Sequence, residues 1–161
     1  MRVALVSTEA TEQCGACFAR SLPGPVVQQP VLVFLEGELG AGKTTWARGF
    51  LRALGITGPV RSPSYTLLEA YACDALTVVH LDLYRLQEPR ELEQLGLRDL
   101  HTAGHLWLVE WPDRGSGELP MPDLRIRLES GARAHHLAAL GVSDLGRQWD
   151  QRVAALTSSQ I

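Results

Sequence analysis

The chain has 161 residues, enough for one domain that buries about two-thirds of its unfolded surface. Apolar content of 45% and charged content of 20% are ordinary for a soluble globular protein, and a net charge of −3 gives no global field to attract nucleic acid. No apolar run approaches a membrane span, and only four apolar residues follow Arg2 before polar sequence begins, so the expectation is a cytoplasmic protein without secretion signal or anchor. Arg85, Arg90, Arg125, Arg127 and Arg133 leave room for a local basic patch.

Residues 2–6 read as a short strand. Ser7 or Thr8 can cap a helix running to about Ser21, where Pro23-Gly24-Pro25 ends it. Within that helix Cys14-Gly15-Ala16-Cys17 spells C-x-x-C, but no second ligand pair stands at zinc-binding spacing. Three cysteines, an odd number, also argue against a disulfide framework. The two helical cysteines are expected to be small core residues beside Phe18 and Ala10.

The next unit carries the strongest signal. Val31 to Leu35 is an apolar, β-branched run that reads as a buried strand, and Thr45 to Leu54 reads as a helix. Between them, Gly37-Glu38-Leu39-Gly40-Ala41-Gly42-Lys43-Thr44 fills every fixed position of the phosphate-binding loop, glycine, four residues, then Gly-Lys-Thr. Each residue type answers a demand of a polyphosphate. The glycines let backbone N–H groups approach the β-phosphate. Lys43 brings a mobile charge toward the β- and γ-phosphates, the Thr44 hydroxyl can ligate Mg²⁺, and the helix N-terminus adds its positive dipole.

Ser62-Pro63-Ser64-Tyr65 follows, a hydroxyl-bearing loop stiffened by proline and able to respond to a γ-phosphate as switch loops do. Alternation from Tyr65 to Tyr71 predicts a strand, paired as a hairpin with Leu76 to Asp82 across a Cys73-Asp74 turn. Glu88 to Leu100 has helical spacing interrupted by Gly96. Leu106 to Val109 is a buried strand ending at Glu110. Leu124, Ile126 and Leu128 alternate with Arg125, Arg127 and Glu129 in a half-exposed strand that Ala134 to Leu140 can pair with, and Val142 to Leu156 reads as an amphipathic helix. Residues 157–161 are expected to fray. The chain therefore reads as one domain over residues 1–156: an α/β, P-loop NTPase-like three-layer sandwich with a mixed central sheet and helices on both faces.

Hydrolysis needs an acid for the metal and a group to place water. Two acids stand at the ends of apolar strands, where active-site residues of such folds emerge: Asp82 and Glu110. His80, Asp82 and Tyr84 alternate and so share one face, and His80, Tyr84, Arg85 and Trp111 are candidates for support. His101, His105, His135 and His136 lack metal-ligand context. Trp46, Trp107 and Trp149 read as packing.

Gly-Glu-Leu-Gly-Ala-Gly-Lys-Thr-Thr, Ser-Pro-Ser-Tyr, His-Leu-Asp-Leu-Tyr-Arg-Leu and Glu-Trp-Pro, in this order, closely resemble the TsaE (YjeE) family, from about Thr11 to about Arg133. The His-x-Asp-Leu-Tyr-Arg and Glu-Trp segments make the resemblance specific. It implies a small Mg²⁺-dependent ATPase of bacterial tRNA threonylcarbamoyladenosine (t6A) synthesis, working with the TsaD–TsaB pair and resetting that complex between rounds. By the family's pattern, Thr44 and Glu110 would hold Mg²⁺, Lys43 and the loop through Thr45 would hold ATP phosphates, and Asp82 would place the attacking water. The resemblance also suggests that Thr11 approaches the adenine and that Arg133 lies against the base. Ser64 stands where the family carries threonine, and Cys14 where it carries leucine. Contact with tRNA is expected through the complex, and an isolated monomer is expected. A P-loop small-molecule kinase, with Leu86 to Leu100 as its only candidate lid, and an ATP-dependent switch with negligible turnover are the alternatives.

Overall fold

The computed structural model describes residues 1–158. Seven strands form one sheet in the order β1-β7-β6-β2-β5-β4-β3. They are β1 (Arg2–Leu5), β2 (Val31–Glu36), β3 (Leu68–Cys73), β4 (Leu76–Asp82), β5 (His105–Glu110), β6 (Leu124–Glu129) and β7 (His135–Gly141). The four central strands run parallel, and each flank is closed by antiparallel pairing: β7 against β6 and β1 on one side, β3 against β4 on the other. The central strands are apolar on both sides, Val31 to Leu35 being buried throughout, as a sheet covered on two faces requires.

One face carries α1 (Thr8–Arg20), α2 (Lys43–Ala53) and α4 (Asp144–Ser158). Ser7 caps α1 as its sequence predicts, its Oγ accepting from the Ala10 amide at 3.1 Å. Phe18, Trp46, Phe50 and Trp149 are fully buried between these helices, with ring centroids 5.4–6.1 Å apart. Such ring pairs contribute about 0.5–1.5 kcal/mol each beyond their area. The Trp149 indole N–H donates to the Phe18 carbonyl at 2.9 Å and locks α4 onto α1. Trp46, Trp107 and Trp149 are thus packing residues, as expected.

The opposite face is covered more thinly. Leu86, Leu92 and Leu97 bury against Val79, Leu81, Trp107 and Val109. They belong to a segment that differs from expectation. The continuous spacing over Glu88 to Leu100 becomes a 3-10 helix at Pro89–Leu95 and a four-residue α3 at Leu97–Leu100. Gly96 between them adopts φ 66°, ψ 26°, which a continuing helix cannot tolerate. A second difference lies at Tyr65. The strand begins only at Leu68, because residues 64–66 turn and Leu67 takes a φ of 63°. The amide of Leu67 closes that turn on the Pro63 carbonyl at 2.7 Å.

Cys14, Cys17 and Cys73 are free thiols of intermediate burial. Cys14 packs against the core, and burial pushes its thiol up to about 12, which suits a packing residue and not a redox nucleophile. Cys17 lies nearer the surface, 3.5 Å from the Arg20 guanidinium. The last helix runs from Asp144 to Ser158, two residues past its expected end, and of the expected frayed end residues 159–161 lie outside the described residues.

Candidate functional site

Parallel pairing places β2, β5 and β4 side by side with their C-terminal ends level: Leu35 pairs with Glu110, and Glu110 with Asp82. The loop after β2 therefore opens where both acids emerge, at the edge where α/β folds bind ligands. Gly37 has a φ of 142°, and a Cβ there would stand 2.2 Å from the Leu128 carbonyl oxygen, so only glycine passes. The loop then wraps over the start of α2, which begins at Lys43, two residues before its expected start.

Lys43 is 4% exposed. Its ammonium donates to the carbonyls of Gly37 at 2.7 Å and Glu38 at 2.8 Å, and lies 4.0 Å from the centre of the Trp111 ring. Burial pulls this amine below its ordinary range, opposed by the negative charge of Glu110, Asp82, Asp113 and Glu38. Trp111 holds its ring there from a left-handed backbone, φ 58°, ψ 50°, just before Pro112. For a residue with a Cβ that conformation costs about 1–2 kcal/mol, and such strain collects at functional positions. Tyr84 backs the ring at 4.9 Å between centroids.

The two acids take different partners. The Thr44 hydroxyl donates to Glu110, 2.9 Å from Oε1 and 3.0 Å from Oε2. His80, fully buried, stands with Nε2 2.8 Å from the same Oε1. Asp82 instead accepts from the Ser62 hydroxyl and, at 2.9 Å, from the Tyr84 amide. Ser62 thereby ties the Ser62-Pro63-Ser64-Tyr65 loop to the strand end. Tyr65, 82% exposed, lies under the Arg85 guanidinium at 4.1 Å.

A cleft of about 410 Å³ is bounded by Leu39, Lys43, Thr44, Asp82, Glu110 and Trp111. A second, of about 380 Å³, lies across the loop and shares Gly40, Gly42 and Thr45 with it. Thr11 and Arg133 line this second cleft, away from the acids. Arg133 is exposed, while Thr11 is buried with its methyl positioned 3.4 Å from where a Cβ on Gly42 would stand. Sequence reasoning missed one contact here. His135, whose sequence context offers no metal-ligand pattern, has Nδ1 3.0 Å from the Ala41 carbonyl and so props the phosphate loop from β7. No spacing signal exists for a contact between residues 94 positions apart.

A family model described as threonylcarbamoyl adenosine biosynthesis protein TsaE matches residues 5–137. The chain belongs to the TsaE family. Among its relatives, the tRNA threonylcarbamoyladenosine biosynthesis protein TsaE of Haemophilus influenzae is 38% identical, over 83% of this chain and 84% of the relative. The protein of the same name from Bacillus subtilis is 40% identical over 74% of this chain and 69% of that one. A crystal structure of Bacillus subtilis YdiB superposes with a TM-score of 0.77 at 26% identity, covering 98% of this chain and 95% of that one. The loop, Asp82, Glu110 and Trp111 all fall inside the segment that the TsaE family model spans.

Among the described residues, no group of three or more His, Cys, Asp or Glu forms a self-sufficient metal cage. What the cleft offers is the Glu110 carboxylate hydrogen-bonded to the Thr44 hydroxyl, with the Asp82 carboxylate also lining it, all hard oxygen donors beside the glycine-rich loop. That set fits Mg²⁺, which keeps most of its waters and is held through one or two side chains plus substrate phosphates. The Leu86 to Leu100 segment makes a poor lid, because Leu86, Leu92 and Leu97 are buried in the core. No described helix is long and apolar enough to cross a membrane.

Proposed function

We propose that this chain is the Mg²⁺-dependent ATPase of the tRNA t6A-forming machinery, acting in the cytoplasm with a TsaD–TsaB pair and contacting tRNA through that complex. The observation that carries the reading is the convergence of Lys43, Thr44, Glu110 and Asp82 on one cleft at the level ends of three parallel strands. The names of the relatives support the t6A assignment.

Phosphoryl transfer to water proceeds through a loose transition state, so the protein's work is positioning and charge stabilisation. Lys43 exchanges the Gly37 and Glu38 carbonyls for phosphate oxygens, a short movement for an amine already inside the loop. The loop amides and the N-terminus of α2 hold the remaining charge. Thr44 and Glu110 would hold Mg²⁺, which when bound neutralises charge on the β- and γ-phosphate oxygens. Asp82 directs the attacking water. Its two oxygens each accept one hydrogen bond within the protein and each keeps further acceptor capacity, on a side chain that lines the cleft. Thr11 and Arg133 would hold the adenine in the second cleft, where a guanidinium can lie flat on a base.

Slow turnover of the isolated chain follows from the arginines. Arg85 lines the cleft but its guanidinium lies over the exposed Tyr65 ring, and Arg61 does not line it; a partner that adds an arginine or moves Arg85 onto the phosphates would complete the charge on the transferring phosphoryl group. The Ser62–Asp82 hydrogen bond also favours a second reading, an ATP-sensing switch without significant turnover. Asp82→Asn separates the two. Under the ATPase reading it keeps ATP affinity within about threefold and lowers turnover roughly 10²–10⁴-fold, the range for a lost acid–base group. Multiple rounds of t6A formation at the wild-type rate in the variant would leave only the switch.

A further inference from the structure

His80 is fully buried on β4, two residues before Asp82 and one strand away from Glu110. It pairs in register with Leu108, so it reaches Glu110 diagonally across two parallel strands. An imidazole completely removed from water needs a reason, since its polar atoms are costly to bury without partners. Only one of them has a partner. Nε2 lies 2.8 Å from Oε1 of Glu110, while Nδ1 has no hydrogen-bond partner among the described residues. An ionised carboxylate can only accept, so Nε2 carries the hydrogen and the single bond His80 makes is spent on Glu110.

The geometry points to a positioning role: His80 holds the Glu110 carboxylate in the orientation from which, with Thr44, it receives the divalent cation. This inference rests on the Mg²⁺–ATP reading of the cleft. Glu110 has two anchors, the Thr44 hydroxyl from the cleft side and His80 from the neighbouring strand on the same sheet face. Thr44, at the start of α2, would offer a hydroxyl lone pair to the cation and can keep its O–H on Glu110, so its position would depend on the cation itself. His80 is the buried anchor that stands whether or not the cation is bound. Without it the carboxylate keeps only its contact with Thr44, and more of the order needed for metal binding must be created at the moment of binding. Hydrogen-bond partners of ligating groups typically contribute roughly 10–100-fold to metal affinity.

The test separates the cation from the nucleotide. Binding of a fluorescent ATP analogue is measured in EDTA, and Mg²⁺ is then titrated into the protein–nucleotide mixture. In His80→Leu, which keeps the bulk and removes the donor, the Mg²⁺ concentration at half-effect rises roughly 10–100-fold while metal-free nucleotide affinity stays within about twofold. In His80→Gln the amide nitrogen stands the same number of bonds from the backbone as Nε2, and Mg²⁺ affinity returns to within a few fold of wild type. His80→Asn ends one atom short and does not restore it. If His80→Leu fails to fold, as judged by circular dichroism, the Gln–Asn pair carries the same contrast between two polar side chains. Wild-type Mg²⁺ affinity in the Leu variant, or equal affinity in Gln and Asn, overturns the role of His80 and leaves the cleft assignment intact. Absence of any Mg²⁺ effect in the wild-type protein overturns both.

Discussion

Lys43→Ala is expected to lower ATP turnover roughly 10²–10³-fold, the effect of removing one preorganised donor from a developing charge, and to weaken ATP binding as well. The reason lies in what the lysine does before nucleotide arrives. Its ammonium is held inside the loop by two carbonyls and the Trp111 ring, and burial already makes the charged form costly. A phosphate oxygen relieves that cost far better than a neutral carbonyl, so the lysine binds phosphate from a state of unmet demand. Removal should spare the fold. Glu38 is exposed and Gly37 partly so, and water can replace the amine on their carbonyls. Calorimetric titration with Mg-ATP and a thermal melt check both halves. Binding and turnover within twofold of wild type would contradict the site as a whole.

The second large effect is structural and comes from the crossing of α1 and α2. The two helices meet through glycines. A Cβ on Gly49 would stand 2.0 Å from the Glu12 carbonyl oxygen, and one on Gly15 would stand 2.1 Å from that of Trp46. Both obstacles are backbone, so neither contact can relax by a rotamer change. Gly49→Ala should therefore destabilise the protein despite alanine's better helix propensity, which returns only about 1 kcal/mol. Overpacking of about 3 kcal/mol leaves a net loss of about 2 kcal/mol. For a domain of this size that lowers Tm by roughly 4–8 °C. The change also reaches the site, because α2 starts at Lys43 and the Thr11 methyl of α1 closes on Gly42. Forcing the helices apart should weaken ATP binding in proportion. Differential scanning calorimetry of Gly49→Ala and Gly15→Ala decides, and an unchanged or raised Tm in either would show that the crossing yields.

Much of this was legible in the sequence because it is written locally. The phosphate loop is eight consecutive residues, and its strand and helix are marked by an unbroken apolar run and by 3.6-residue spacing. Asp82 and Glu110 could be placed at strand ends, since a run of apolar residues stops at each. What periodicity could not give is which neighbour each acid would choose. Glu110 takes Thr44 and His80, and Asp82 takes Ser62, by virtue of sheet register. The Tyr65 strand failed for a physical reason: alternation persists through residues whose backbone turns at Leu67. The helix at Glu88 failed because apolar spacing of three or four serves a 3-10 turn and a broken helix equally well. Gly96 marked the break but not its depth. His135 carried no signal, its partner being a carbonyl in a distant loop.

The central claim is that this cleft hydrolyses ATP and does so under the control of partners. The direct measurement is phosphate release from Mg-ATP by the purified chain, alone and mixed with a TsaD–TsaB pair and tRNA, with Lys43→Ala as control. The account predicts slow release by the chain alone, strong stimulation by the pair, and loss of both in the variant. Rapid release indifferent to the pair, or stimulation that survives Lys43→Ala, would contradict it.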